Sequence, residues 1–536
     1  MLLRKIFSHF ILIITFTGFS YSSLAKSNAL DFQSDFSSMY VESVLSNHSN
    51  NRNAYTLESN QTDHAKEIIN KDWTGAMQEL GTILVLGRLS YMAGGETIER
   101  DFDYEIEGNE FEYFGKRLFT DEYWKFDDNT KGMNWGHAYA GMIYHQAFRN
   151  HNFSYYESVL ATFVTSTVWE VFFEYKEVVS INDQFFTTWG GAVLGESFFQ
   201  IGDMLYTKEG WIPATFAALF NPANAIKRIW RDPKTPVFSR KNVHDVFNVY
   251  TGITYASHDI RDLNEGILVF GLDAKVDRLN EKAKVKGNTP KLVEVEAMAG
   301  LSKEGLEDFQ LMSKVLLWSK QGASHANMAN NQAFSNRYYI GPSIGIEYVS
   351  YGADRETEDF FSAVHLLGLD AASKWTSADM SFLLRGSFYG DFAMVKPFAT
   401  QGVPNYRDFF WNTKSSLWEN AYAYALGYTL DLFAEMNYSN YTLGLKLRSQ
   451  RWDSIDNKEY ERFSDWNPNN KDLDFKDSRD RLKAYVKYQI TPKLQIDFSV
   501  ESIRRFGEFF GIDNPEFYAR AKDTETRTSL QLHYQY

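Results

Sequence analysis

The final eight residues, Ser529 to Tyr536, constrain the fold more than any other stretch of the chain. Leu530, Leu532, Tyr534 and Tyr536 alternate with Ser529, Gln531, His533 and Gln535. Successive side chains of a strand point to opposite sides, so this ribbon has one apolar and one polar surface. An alternating strand that stops on an aromatic is expected to close an outer-membrane β-barrel, with its apolar face to lipid and its polar face to the lumen.

The same two-residue period recurs upstream. Phe247, Val249, Thr251, Ile253 and Tyr255 form one apolar row, and Leu268, Phe270, Leu272, Ala274 and Val276 form another. Leu494, Ile496, Phe498 and Val500 oppose Gln495, Asp497, Ser499 and Glu501. About twelve such segments fall between residues 243 and 536. Residues 311–320 are ambiguous, which leaves counts of ten and fourteen open. Short connections near 435–440 and 491–493 alternate with long ones near 391–417, 453–479 and 506–524, as an up-and-down barrel requires. A soluble β-sandwich or lipocalin-like barrel is the competing reading, and the long strands disfavour it. An even strand number places both barrel ends on the periplasmic side. The region before the first strand is then expected in the periplasm or in the periplasmic mouth of the barrel.

The start of the chain agrees with export. Arg4 and Lys5 precede an apolar run from Ile6 to Phe19, and Ser23-Leu24-Ala25 is a small-x-small step. These features predict a secretory signal peptide over residues 1–25, cleaved after Ala25. Residues 26–64, rich in Ser and Asn, are expected to form a flexible leader. The formal charge is −14, and losing Arg4 and Lys5 makes it more negative, which argues against a nucleic-acid partner. The chain has no cysteine, so disulfides and thiolate metal ligands are excluded. Aromatic residues make up 16% of the chain, a share that suits interfacial girdles. The expected partners are outer-membrane lipid and, through Leu530 to Tyr536, the barrel-assembly machinery.

Residues 65–240 read as helical. Candidate helices run over Trp73–Met92, Trp135–Arg149, Tyr155–Tyr175, Ser180–Leu205 and Ile212–Trp230, the last interrupted near Pro222. Gly191 and Gly195, one turn apart, allow close helix approach. The fold class expected is therefore α+β: an N-terminal periplasmic helical bundle over 65–240, then a transmembrane antiparallel β-barrel over 243–536.

Polar residues set among these apolar helices are the candidates for chemistry. They are Asn134, His137, His145, Glu170, Glu174, Ser180, Asn182, Asp183 and Glu196. Glu170 and Glu174 lie one helical turn apart. Two carboxylates with a histidine can do acid–base work or bind a metal. The structural alternatives are strong. Ser180 and Asp183 fit a capping box, Trp169-Glu170 fits an interhelical hydrogen bond, and one of the two histidines fits a satisfied core residue. The candidate catalytic set is His137, Glu170, Glu174, Asp183 and Glu196; no metal ion or cofactor is assigned. Phosphate-binding Gly-rich loops, a Gly-x-Ser-x-Gly elbow and a His-Glu-x-x-His motif are all missing from the sequence.

The ordered series Asn134-Trp135-Gly136-His137, Glu157-Ser158, Trp169-Glu170 with Glu174, Ser180-Ile181-Asn182-Asp183, Thr187, and Gly190-Gly191 with Gly195-Glu196 resembles the bacterial domain of unknown function 3943. The resemblance covers residues of about 110–210. It implies an exported protein of a Gram-negative bacterium and supplies no reaction. Gly136-His137-Ala138 lacks the proline-containing step usual in that family.

Two functions follow as expectations. The first is a non-enzymatic outer-membrane barrel whose helical domain plugs, gates or scaffolds, in the handling of a small or lipidic molecule. The second is a membrane-embedded hydrolase or lipid-modifying enzyme using the His/Glu/Asp cluster.

Overall fold

The computed structural model describes residues 71–93, 109–230, 244–258, 264–279, 289–303, 305–327, 333–352, 358–403, 415–455, 473–511 and 518–536. The signal peptide and the leader expected over 1–64 lie outside the described residues.

Twelve antiparallel strands close into a barrel. They are β1 (His244–His258), β2 (Asn264–Asp277), β3 (Leu292–Ser302), β4 (Gly305–Leu316, resuming at Lys320–Asn327), β5 (Ala333–Tyr351) and β6 (Asp359–Thr376). The wall continues with β7 (Met380–Val395), β8 (Ala423–Tyr438), β9 (Tyr441–Ser454), β10 (Leu473–Thr491), β11 (Leu494–Gly511) and β12 (Tyr518–Gln535). Each strand pairs with its sequence neighbours, and β12 pairs with β1, Leu530 opposite Ile253. Closure leaves no open edge, which a bilayer demands of a spanning sheet.

The ambiguous segment at 311–320 is an interruption within one strand. Leu316 pairs with Ser343 and Lys320 with Ile340, so Leu317, Trp318 and Ser319 face only Gly341 and Pro342. Pro342 has no N–H to give to the ladder, and its carbonyl accepts from the Leu317 amide at 3.0 Å. The bulge breaks the period there without ending the strand.

The polar faces of the strands meet inside. Arg448 of β9 pairs with Glu347 of β5 at 2.5 Å, and Arg527 of β12 with Asp308 of β4 at 2.5 Å. Arg479 of β10 reaches Asp359 of β6 at 2.5 Å, and Arg385 of β7 reaches Glu294 of β3 at 2.7 Å. Lys314 of β4 also pairs with Asp431 of β8. None of these strand pairs is adjacent, so the ion pairs cross the lumen. Beyond them, the described parts of the β7–β8 connection, 396–403 and 415–422, fold inward. Ala399 and Leu417 pack against Val349, Phe361, Val395, Trp452 and Phe475, closing the end of the barrel away from the β1 start.

Among the described residues, the longer helices before the barrel are α1 (Trp73–Met92), α2 (Glu110–Phe119), α3 (Lys131–Arg149), α4 (Tyr155–Val168), α5 (Gly191–Tyr206), α6 (Trp211–Phe220) and α7 (Pro222–Trp230), with a single short turn at Ile181–Asp183. Two π-helical stretches, Trp169–Phe173 and Gln184–Gly190, extend α4 and lead into α5. The helices pack on the outer wall of the barrel. Phe216 meets Phe247 of β1 at a ring separation of 5.3 Å, Trp135 meets Tyr348 of β5 at 5.1 Å, and Phe185 meets Phe392 of β7 at 4.5 Å. Ser313 of β4 donates to Ser197 of α5 at 2.8 Å. On the unbroken strand β7, Phe392 shares its face with Leu384 and Phe388, which are exposed, while Arg385 and Asp391 share the other. The seat of the helices is thus the apolar, outward face.

This arrangement corrects the expected plug. No described helix fills the lumen; strand side chains and the described parts of the β7–β8 connection do. An apolar helix face signals burial without saying against which surface.

Candidate functional site

The site is built where three segments converge. A two-residue parallel ladder joins Trp124–Lys125 to Val179–Ser180, setting residues 127–129 beside residues 180–183. The two π turns lie on either side. In the first, the Glu174 amide bonds to the Trp169 carbonyl at 3.1 Å, five residues back. Such wide turns alter the direction of side chains that an α-helix would stack. Fully buried Arg117 of α2 holds this turn open-ended by donating to the carbonyls of Glu170 at 2.8 Å, Val171 at 3.2 Å, Glu174 at 3.2 Å and Glu177 at 2.7 Å.

His137, Glu170 and Asp183 come together, each with one potential ligand atom within 4.8 Å of the others. The His137 Nδ1 lies 3.1 Å from Asp183 Oδ1 and 2.9 Å from the Met133 carbonyl. A proton on Nδ1 serves both acceptors and leaves the lone pair on Nε2. The His137 side chain keeps 14% of its surface exposed, so the cluster is not sealed from outside.

Half of the expected capping box is present. Ser180 Oγ accepts from the Asp183 amide at 3.2 Å. The reciprocal bond goes elsewhere, because the Ser180 amide donates to Glu170 Oε2 at 3.1 Å. The Asp183 carboxylate is thereby free to face His137, and accepts from Asn129 at 3.0 Å and Asn182 at 3.2 Å. The Trp169 indole hydrogen-bonds to Glu174 rather than to Glu170.

Burial dominates the electrostatics. It pushes Glu174 and Asp183 up to about 7 and, with the Glu174 and Asp183 charges added, holds Glu170 well above the usual carboxylate range. It also lowers His137, against the pull of Glu174.

Asn134 and Asn182 connect this cluster to the barrel. Asn182 donates to Asn134 Oδ1 at 3.1 Å, and Asn134 donates to the hydroxyls of Tyr422 at 2.9 Å and Tyr424 at 3.1 Å. The roles of Asn129, Tyr422 and Tyr424 escape the sequence reading. Tyr424 is on the outward face at the start of β8, where alternation alone implies lipid, and Tyr422 immediately precedes the strand.

Glu196 stands apart. Arg149 grips it through Nε at 2.7 Å and Nη2 at 3.0 Å, with Gln200 at 2.8 Å and His145 at 3.2 Å. Burial alone would raise this carboxyl, but Arg149 and His145 outweigh it and hold it at about 2. His145 is the core histidine, only half satisfied: its Nε2 meets Glu196, while its buried Nδ1 has no hydrogen-bond partner among the described residues. The pair sits where α3 crosses α5, and the crossing needs glycine. A Cβ on Gly141 would lie 1.8 Å from the Thr187 carbonyl oxygen, and one on Gly195 would lie 2.7 Å from the His145 Cβ. Gly190 packs on Ile346 of the wall, where a Cβ would come within 2.9 Å.

Residues 123–223 match the family model described as Domain of unknown function (DUF3943), as the motif series implied. No curated protein matches the chain. Among solved structures, the chain is similar to a loop-deletion mutant of OmpT, an outer membrane protein of Vibrio cholerae, with 7% identity, 55% of this chain and 100% of that one covered, and a TM-score of 0.21. It is similar also to the KdgM porin, with 11% identity, coverage of 54% and 99%, and a TM-score of 0.22. The translocator domain of the autotransporter NalP from Neisseria meningitidis gives 5% identity, coverage of 59% and 97%, and a TM-score of 0.18. These likenesses are remote, and the barrel assignment stands on the strand ladder itself.

Proposed function

We propose that this DUF3943-containing protein is an outer-membrane scaffold and not a channel. A sealed barrel carries a helical domain on its outer wall and holds its polar cluster at the level of the bilayer, for handling a small or lipidic molecule. The observation that carries this reading is the belt of ion pairs crossing the lumen, backed by the inward-folded β7–β8 connection. The lipid-facing belt of the barrel supports it. Leu426, Leu530 and Leu367 are outward and more than half exposed on a closed antiparallel wall. The helical domain continues that belt with Leu160, Phe163, Val164 and Phe172, all exposed. Export proceeds through the signal peptide cleaved after Ala25, which amino-terminal sequencing of the purified protein checks. Conductance of the refolded full chain in planar bilayers tests the central point. No steady current above the bare membrane is expected, and a stable ohmic conductance would overturn the reading.

The 3.1 Å approach of His137 to Asp183, beside Glu170, favours a second reading: a membrane-embedded hydrolase or lipid-modifying enzyme. Ester hydrolysis in phospholipid vesicles, lost in both His137→Gln and Asp183→Asn, is its signature. The absence of any turnover by the folded wild-type chain removes it.

A further inference from the structure

We propose that His137, Glu170 and Asp183 bind a divalent cation of borderline hardness, in the class of Zn²⁺ and Mn²⁺. Three observations carry this. Potential donor atoms of the three residues already lie within 4.8 Å of one another. An ion bound at about 2.0–2.2 Å from each would draw these atoms together.

Charge matching is the second observation. In the lumen, three deeply buried carboxylates face guanidinium groups, Asp359 with Arg479 and Arg505, Glu347 with Arg448, and Asp308 with Arg527, and a fourth, Asp391, is held by His365 at 2.6 Å. In the helical domain, Glu196 faces Arg149. Glu170 and Asp183 are buried as deeply, at 1% exposure each, yet among the described residues no Lys or Arg forms an ion pair with either. Arg117 is near, but its donors go to backbone carbonyls. Burying two carboxylates side by side with no cation is costly, and a metal ion supplies the missing positive charge.

The third observation is the outer ring of partners. Every proposed ligand also has a neutral support. Met133 O accepts from His137 Nδ1, the Ser180 amide holds Glu170, and Asn129 and Asn182 hold Asp183. Such supports fix the tautomer and direction of metal ligands without neutralising them. One imidazole with two carboxylates and no thiolate suits Zn²⁺ or Mn²⁺ rather than Cu⁺, and the imidazole disfavours Ca²⁺. The inference is independent of the sealed barrel, since a conducting lumen would leave this cluster unchanged.

The test uses the refolded full chain, stripped with chelator and titrated with Mn²⁺ by electron paramagnetic resonance, then with Zn²⁺ in competition. One tight site is expected, with nitrogen coupling from a histidine on bound Mn²⁺. Glu170→Gln and Asp183→Asn keep shape and hydrogen-bonding capacity, and each is expected to weaken binding by about 100-fold or more. A lumen control, Glu296→Gln on β3, whose carboxylate pairs across the lumen with Lys446 of β9 at 3.6 Å, leaves the affinity unchanged. Absence of a stoichiometric site in the wild-type chain, absence of nitrogen coupling, or unchanged affinity in both folded variants would each overturn the proposal. Should the variants misfold, the nitrogen coupling on the wild-type chain decides alone.

Discussion

The Asn134 carboxamide donates to the Tyr422 hydroxyl at 2.9 Å, joining a residue of helix α3 to one at the head of strand β8, 288 positions away. Through Asn182, the same carboxamide reaches the carboxylate that faces His137. The barrel wall therefore helps to position the cluster. Replacing Tyr422 and Tyr424 together by Phe removes both acceptors and keeps the rings. The helical domain is expected to lose about 1–3 kcal/mol of docking stability, because Asn134 stays buried with donors unsatisfied. Amide hydrogen exchange should rise in α3 while the barrel strands stay protected; unchanged exchange in α3 would contradict the link.

Gly141 faces the Thr187 carbonyl across the α3–α5 crossing. Gly141→Ala puts a methyl group 1.8 Å from that oxygen, too close for any rotamer to relieve. The helices must part, at a cost of about 1–3 kcal/mol or more. Near-UV dichroism is expected to show loosened helical packing in a barrel that still migrates as folded on unheated gels.

Glu196 gives the pH dependence. Its folded-state value of about 2 lies below the ordinary carboxyl value of 4.5, so its pairing stabilises the fold above about pH 4.5 and is lost as pH falls through about 2. Glu196→Gln leaves Arg149 buried and unmatched, and is expected to cost about 3–5 kcal/mol at neutral pH. The gap in stability between wild type and variant should close in acid. A gap that widens below pH 4 would reverse the assignment.

Asp359 receives two guanidinium groups, from Arg479 and Arg505, near the closed end of the lumen. Removing one, by Arg479→Ala, is expected to destabilise the barrel by about 3–5 kcal/mol. The temperature at which the folded gel band converts to the unfolded one should fall accordingly. No shift would mean that water already compensates the charge.

The outer face of the helices is open to a direct probe, because a chain without cysteine accepts single labels cleanly. Nitroxides at Leu160→Cys and Phe163→Cys are expected to collide with oxygen and to be shielded from a polar nickel chelate. The opposite is expected at Glu112→Cys, on the hydrated side of α2. Polar-relaxant access at residues 160 and 163 would place this face in water.

Much of this architecture was readable in the chain. The period of two marks the wall from Phe247 to Tyr534, because one face of each strand is apolar whatever its neighbours are. The 20-residue helix over Trp73–Met92 is likewise present within the bounds expected of it. The break at Leu317 to Ser319 was not readable, because its cause, Pro342, sits on the opposite strand. His137, Glu170 and Asp183 were visible as polar residues among apolar ones, but their convergence depends on two π turns and a parallel ladder that no local period encodes. Glu196 looked equivalent until Arg149 was found beside it. The lumen pairs were hidden for a similar reason: an inward charge does not name its partner across the barrel. Nor does an apolar helix face say whether it will meet another helix, lipid or a barrel wall.

The footing of the helices has a bearing on biogenesis. It runs from Phe247 on β1 to Tyr424 on β8, so it does not exist as a surface until eight strands have been laddered in order. The helical domain precedes all of them in the chain, yet its landing place is completed long after its own residues are available. Docking on the whole footing consequently requires the eighth strand, and without that wall the apolar flank of these helices has no seat.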